Sequence, residues 1–342
     1  MLKAGTHGGL DRIKKDEYLT AAFCFALAFI CIFISFSFFV FLAPLPFVLA
    51  YSVARGGYIK GAAASLAAFG CAYFLDANYC IFISALFLPP AIAAGYSIRS
   101  KKRLFTSVLI TSAGALAGAS LMIFLTTLFS GVGFVDFVSA SFAEQLKAQH
   151  SDVTLSLYYA ARYPDIVSGA ITEAAVASTT PAQAVEIMAG MVKDALNAAL
   201  VSMIAIYSLL GGLLYYVIPR AVAKTNKMDV ARISAFSDFA LPKGFWIAAA
   251  VSYLAAALGA EFGLNGFDIL QSSIFDIYAF VYAVQALSFF DFFYKKRNIK
   301  TVSRVFLHIL IVLVFGYLIS VVGLVENIAS IRKHMDENGE TD

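Results

Sequence analysis

The chain has 342 residues, 61% of them apolar, with a mean hydropathy of +0.81 and a formal net charge of +3. A soluble domain would be nearer ~45 to 50% apolar, so this composition excludes one and defines an integral membrane protein. Repeated apolar runs of ~20 residues exclude an outer-membrane barrel, and the small positive charge reads as a topology signal rather than a nucleic-acid footprint.

The amino-terminal segment 1–17 carries Lys3, Arg12, Lys14 and Lys15 ahead of an apolar run. That run is too long for a signal-peptide core of ~7 to 15 residues, so an uncleaved signal anchor with a cytoplasmic amino terminus is expected. Tyr18 to Phe41 is predicted as the first spanning helix, and it continues into Leu42 to Ala54, where Pro44 and Pro46 break the run. Proline removes a backbone donor that hydrocarbon cannot replace, so such a break survives at membrane depth only under protein or beside a polar cavity. The Pro44 segment is therefore the best sequence pointer to a binding site. Further helices are predicted at Tyr58 to Leu75, Tyr79 to Ile98, Leu104 to Ser130, Leu196 to Ile218, Gly244 to Phe262, Phe267 to Phe293 and Val305 to Val325.

Lysine and arginine near helix ends stay on the cytoplasmic side. They cluster at Arg55 and Lys60, from Arg99 to Arg103, from Arg220 to Lys243, and from Lys295 to Arg304. All of these fall inside if Tyr18 to Ala54 crosses twice, which makes nine crossings the preferred count. That count places the tail 326–342, with Arg332 and Lys333, outside, and so leaves an eight-helix alternative open. An inner rather than an outer membrane is expected from the helical class.

Residues 131–195 form the one sizeable extramembrane insertion, with an acidic bias that fits the outer side. Thr180, Pro181 and Gln183 spell a helix start with a capping box, and Val185, Met188, Val192 and Ala195 repeat at helical spacing behind it. This amphipathic helix runs into the membrane helix from Leu196, straight or with a bend, as a lid or as a brace. Gly114 with Gly118, Gly61 with Ser65, and the small residues of Ala248 to Gly259 favour close helix packing. Ser234 to Trp246 reads as an interfacial turn, with a helix starting at Pro242 and the only tryptophan at belt position.

An ionisable group inside hydrocarbon costs ~2.5 to 3.5 kcal/mol on insertion scales and so marks a candidate site. Asp276 is the deepest, ~13 Å into the helix from Phe267, with Tyr278 and Tyr282 on the same helix. It is either a substrate or proton site or a structural carboxylate bonded to Ser202 or Tyr207. His308 lies near the inner face, within reach of Asp291. Cys24, Cys31, Cys71 and Cys80 make no CxxC pair and read as packing residues. No HExxH, GxSxG, phosphate-loop or GxGxxG motif occurs, and the four histidines are scattered, so no catalysis, metal site or cofactor is expected.

APLPF at Ala43 to Phe47, Arg55-Gly56-Gly57 with Gly61, FALPKGFW at Phe239 to Trp246 and GLVENIASIRK at Gly323 to Lys333 together resemble the YybS-like family of bacterial membrane proteins of unknown function. That family is similar in turn to the substrate-binding S components of energy-coupling-factor transporters. The resemblance implies that the membrane is a bacterial one. Within the all-α bundle of eight or nine membrane helices read above, it implies an S-component-like six-helix part, with the Pro44 loop closing over a ligand. It also implies a coupling subunit docked on Ala22-xxx-Ala26, and an ATPase module. The insertion 131–195 and the helices after Ile218 depart from a minimal S component. Two functions are carried forward: binding and transport of a small molecule at Pro44, Pro46, Asp276, Tyr278 and Tyr282, or a membrane scaffold acting through residues 131–195.

Overall fold

The computed structural model describes residues 7–162, 180–232 and 235–333, and every regular element among them is helical. Five helices are long and apolar enough to cross a membrane, or six if one bent pair counts as a single span. The chain divides into two compact units, residues 1–118 with 201–342, and residues 119–200.

The larger unit opens with α1 (His7–Ser35), followed by a 3-10 turn at Phe39–Leu42 and the short helix α2 (Leu45–Gly56). The predicted first helix thus ends before Phe41. Pro44 is the cap residue of α2 and Pro46 lies in its first turn, where the missing N–H would have had no helical partner anyway. The two prolines therefore start a helix rather than damage one. At ~1.5 Å per residue the 12 residues of α2 span only ~18 Å. It packs against α1, α3 (Tyr58–Tyr73) and α4 (Ala77–Arg99). Leu45, Pro46, Leu49, Ala50, Val53 and Ala54 are all buried, so the broken segment is the core of this half.

Direction can be followed through the contacts. Glu17, near the start of α1, accepts from Lys60 Nζ and Arg99 Nη2, both at 2.9 Å. The end of α2, the start of α3 and the end of α4 therefore meet the start of α1. At the other end, the Tyr79 hydroxyl donates to Ser35 Oγ at 2.8 Å. The turn between α2 and α3 is made at Gly57, whose φ of 93° and ψ of 156° lie in a region essentially reserved for glycine.

The next helix, α5 (Leu104–Ser130), meets α4 through its two glycines. Pro89 and Pro90 inside α4 cannot donate to the carbonyls of Ala85 and Leu86, and Gly118 lies over those two oxygens, where a Cβ would come 2.6 Å from Leu86 O. Only a glycine backbone approaches that closely.

The smaller unit holds the end of α5, α6 (Phe134–Lys147), α7 (Ser151–Arg162) and the start of α8 (Pro181–Thr225). Leu146, Tyr158, Ala184, Val185 and Met188 share its core. Thr180 N–H donates to Gln183 Oε1 at 3.0 Å and Gln183 N–H to Thr180 Oγ1 at 3.3 Å, the reciprocal bonds of the box read from the sequence. Val192 is half-buried and Ala195 exposed, so the apolar stripe fades there. No break separates this stretch from the helix expected at Leu196. The 45 residues of α8 are continuous and, at ~67 Å, longer than a ~30 Å hydrocarbon core requires. The part of the insertion that carries Asp165 and Glu173 lies outside the described residues.

Back in the larger unit, a 3-10 turn at Phe236–Asp238 precedes α9 (Phe245–Glu261), which begins after Gly244 rather than at Pro242. Ser234 lies outside the described residues. Antiparallel to α9 runs α10 (Phe267–Lys296), with Gly259 against the Phe267 ring and Ser252 bonded to Tyr278.

The largest departure from expectation is at Val305 to Val325. In place of one helix there are two, α11 (Thr301–Phe315) and α12 (Leu318–Ala329), bent by 111° at Gly316, where φ is +46°. Along α11, Arg304 bonds Asp291 and His308 approaches Leu287 O, so α11 runs antiparallel to α10. Along α12, Gly323 lies on Tyr282 and Arg332 reaches Ser288, so α12 runs parallel to α10. The chain therefore returns to the end at which α11 began, and Arg332 joins the other basic residues there.

Candidate functional site

A cavity of about 630 Å³ lies between α1, α2 and the last turns of α8. Its walls are apolar: Leu19, Phe23 and Leu27 from α1, Pro44, Phe47 and Val48 from α2, Pro219 and Val222 from α8. Such a volume is the size of a typical small-molecule site. Thr20, Tyr51, Arg55 and Asn226 supply its polar groups. On α2 the lining positions 44, 47, 48, 51 and 55 recur at helical spacing, so one stripe of the broken segment faces the cavity while the opposite face is core.

Arg55 is held by the Asn226 carbonyl at 3.1 Å and the Tyr51 hydroxyl at 3.2 Å. Both are neutral. Lys60 and Arg99 share Glu17, and Lys101 pairs with Asp229, whereas Arg55 has no carboxylate partner among the described residues. Its positive charge is directed at the cavity without compensation.

The other expected site residues are elsewhere. Pro46 is buried beside this cavity and does not line it. Asp276 is half-buried in a second cavity of about 340 Å³ with Tyr253, Asp268, Gln271, Ser272 and Phe275. Tyr207, expected as a partner of Asp276, instead lies 3.0 Å from the Tyr215 hydroxyl. Tyr278 and Tyr282 pack on Phe245; Tyr278 accepts from Ser252, and the buried Tyr282 hydroxyl has no hydrogen bond among the described residues. Neither lines the cavity holding Asp276. Ala22 and Ala26 are exposed on α1, with Ala21, Cys24 and Ala28 turned inward. Cys31 and Cys80 are buried too, but Cys71 is exposed.

A third feature ties the chain's distant motifs together. Leu241 N–H donates to Gln285 Oε1, Trp246 N–H to Asn327 Oδ1, and Asn327 Nδ2 to Pro242 O at 3.1 Å. Arg332 Nε donates to Glu326 Oε1 at 2.8 Å, and Nη1 reaches the carbonyls of Ser237 and Phe239, each at 2.9 Å. The backbone of FALPKGFW is thus gripped by a polar clamp whose side chains, Gln285, Glu326, Asn327 and Arg332, are buried. His308, expected near Asp291, bonds a backbone carbonyl instead, because Arg304 takes both Asp291 oxygens.

Signals for Arg55 existed. Its place on the same helical stripe as Pro44, Val48 and Tyr51 was legible, but its positive charge read first as a topology marker.

An all-helical chain with a buried, proline-started helix and several long apolar helices is a multi-pass integral membrane protein. It belongs to the family described as predicted membrane protein (DUF2232), which matches residues 19–326. No curated protein and no solved structure matches the chain.

Proposed function

We propose that this protein binds a small molecule beside the Pro44 segment and carries it across a bacterial inner membrane, without catalysing chemistry of its own. The observation that supports this most is the cavity along the lining face of α2, where a short proline-started helix and a group of polar side chains coincide. The YybS-like resemblance and its S-component relatives agree with a ligand site at this loop. A coupling subunit on the exposed Ala22 and Ala26, with an ATPase module behind it, belongs to the same proposal. Asp276 is assigned no ligand role shared with Pro44, since the two line separate cavities.

Native mass spectrometry of the full chain, extracted gently from its own membrane, tests the proposal. A bound molecule lost on Val48→Trp, which fills the cavity, is the expected result. Retention of the same molecule by that variant would refute it.

A membrane scaffold acting through the insertion is the second reading, favoured by the separate core of residues 119–200. Loss of cellular function on deleting 131–195, with Val48→Trp silent, would select it.

The topology proposed is eight passes, α1 to α5 and α8 to α10, with α11 and α12 as a re-entrant pair. Both termini then share the basic, cytoplasmic side, which meets the charge rule without leaving Arg332 and Lys333 outside. Cysteine introduced at Ser330 is expected to react with an impermeant maleimide only after the cells are opened. Labelling in intact cells would restore the nine-crossing count.

A further inference from the structure

We infer that the cavity between α1, α2 and α8 takes an anionic membrane lipid, its head group on Arg55 and one chain laid along α2 toward Pro44. The inference rests on reading this cavity as a ligand site and adds the class of ligand.

Three observations carry it. The first is polarity. Arg55, Tyr51, Thr20 and Asn226 are gathered at the end where Glu17, Lys60 and Arg99 meet, whereas Leu27, Pro44 and Phe47 line the cavity away from it. A water-soluble ligand would need polar partners along its length, and this wall offers them only at one end.

Charge is the second. Arg55 is partnered through Nη1 by two neutral oxygens, so a phosphate or carboxylate would find a guanidinium whose other N–H groups have no partner among the described residues. Basic pockets between helices at the cytoplasmic face are the usual receptors for acidic head groups.

The third is length. From Arg55 to Pro44 is 11 residues of helix, ~16 Å at 1.5 Å per residue, against ~15 Å for one leaflet of a ~30 Å core. Leu19 and Phe23 line the cavity and are also exposed, so it opens along the flank of α1, and the half-buried Thr20 and exposed Asn226 stand at its polar end, where a head group would meet the aqueous boundary. A chain entering from the leaflet would lie in it with its head group at the level of its neighbours'.

The test uses the full chain in mixed micelles containing phosphatidylglycerol and phosphatidylcholine of identical chains, with bound lipid counted by native mass spectrometry. Wild type is expected to retain phosphatidylglycerol about tenfold over phosphatidylcholine, as one charge-assisted contact predicts. Arg55→Gln should remove that preference, Arg55→Lys should keep most of it, and Val48→Trp should abolish retention of both lipids. Equal retention by wild type, or a preference that survives Arg55→Gln, overturns the anionic class; if Val48→Trp still releases the lipid, the ligand site itself stands. Retention unchanged by Val48→Trp overturns both. A co-purifying protein helix that occupies the cavity and excludes lipid likewise overturns the lipid assignment.

Discussion

Arg332→Ala is expected to destabilise the carboxy-terminal half by roughly 3 to 5 kcal/mol, the cost of leaving one member of a buried ion pair alone. Glu326 is 4% exposed and Arg332 is 8% exposed, so the orphaned carboxylate would have little water to turn to. The same substitution removes the donors to the Ser237 and Phe239 carbonyls, which lie in the segment that α12 clamps. Two controls separate charge from packing. Glu326→Gln combined with Arg332→Ala should recover part of the loss, because no buried charge remains. Lys101→Ala, which breaks the exposed pair with Asp229, should change stability by ~1 kcal/mol or less. Trp246 is the chain's only tryptophan and its backbone N–H is bonded to Asn327, so the emission of its exposed ring during heating in detergent changes when this segment comes loose. An Arg332→Ala midpoint equal to wild type would show that the clamp contributes nothing to stability.

Much of the architecture was legible because hydrocarbon imposes simple rules. Most of the long apolar helices, the capping box at Thr180 and the small-residue contacts of Gly61 and Gly118 follow from local sequence. The bend at Gly316 was not legible, since VFGYL is apolar on both sides and one glycine within a membrane helix is ordinary. What decides it is tertiary: Gly323, whose absent side chain leaves room for the Tyr282 backbone, and Asn327 and Arg332, which bind residues 237–246 more than eighty positions earlier, with Glu326 holding Arg332 in place. The site was half legible for the same reason. Pro44 announced itself through backbone chemistry, but the groups sharing its cavity come from α1 and α8, and no local pattern pairs Thr20 or Asn226 with α2. Asp276 stood out by depth alone, and depth does not say which neighbouring helix a carboxylate will face.

Gly61→Val is expected to prevent correct assembly of the first four helices, with a loss of roughly 3 kcal/mol or more, at or above the upper end of overpacking costs. A Cβ at this position would fall on the Ser52 carbonyl and lie 2.6 Å from Val53 Cα, both parts of the backbone of α2. Side chains can change rotamer, but two helix backbones must move apart as a whole. Separation of α2 from α3 would also disturb the Gly57 turn and draw Lys60 away from Glu17, so the damage spreads to the end where Arg55 stands. Gly70→Val, on the same helix with open space around it, should be tolerated within about 1 kcal/mol and serves as the matched control. Fluorescence-detected size exclusion after a temperature series distinguishes the two. Because α2 is core on one face and cavity wall on the other, a Gly61→Val protein that still assembles should also lose ligand retention with Arg55 and Val48 intact. Equal midpoints for the Gly61 and Gly70 variants would mean that α2 and α3 are not packed backbone to backbone, and the cavity wall built on that contact would have to be redrawn.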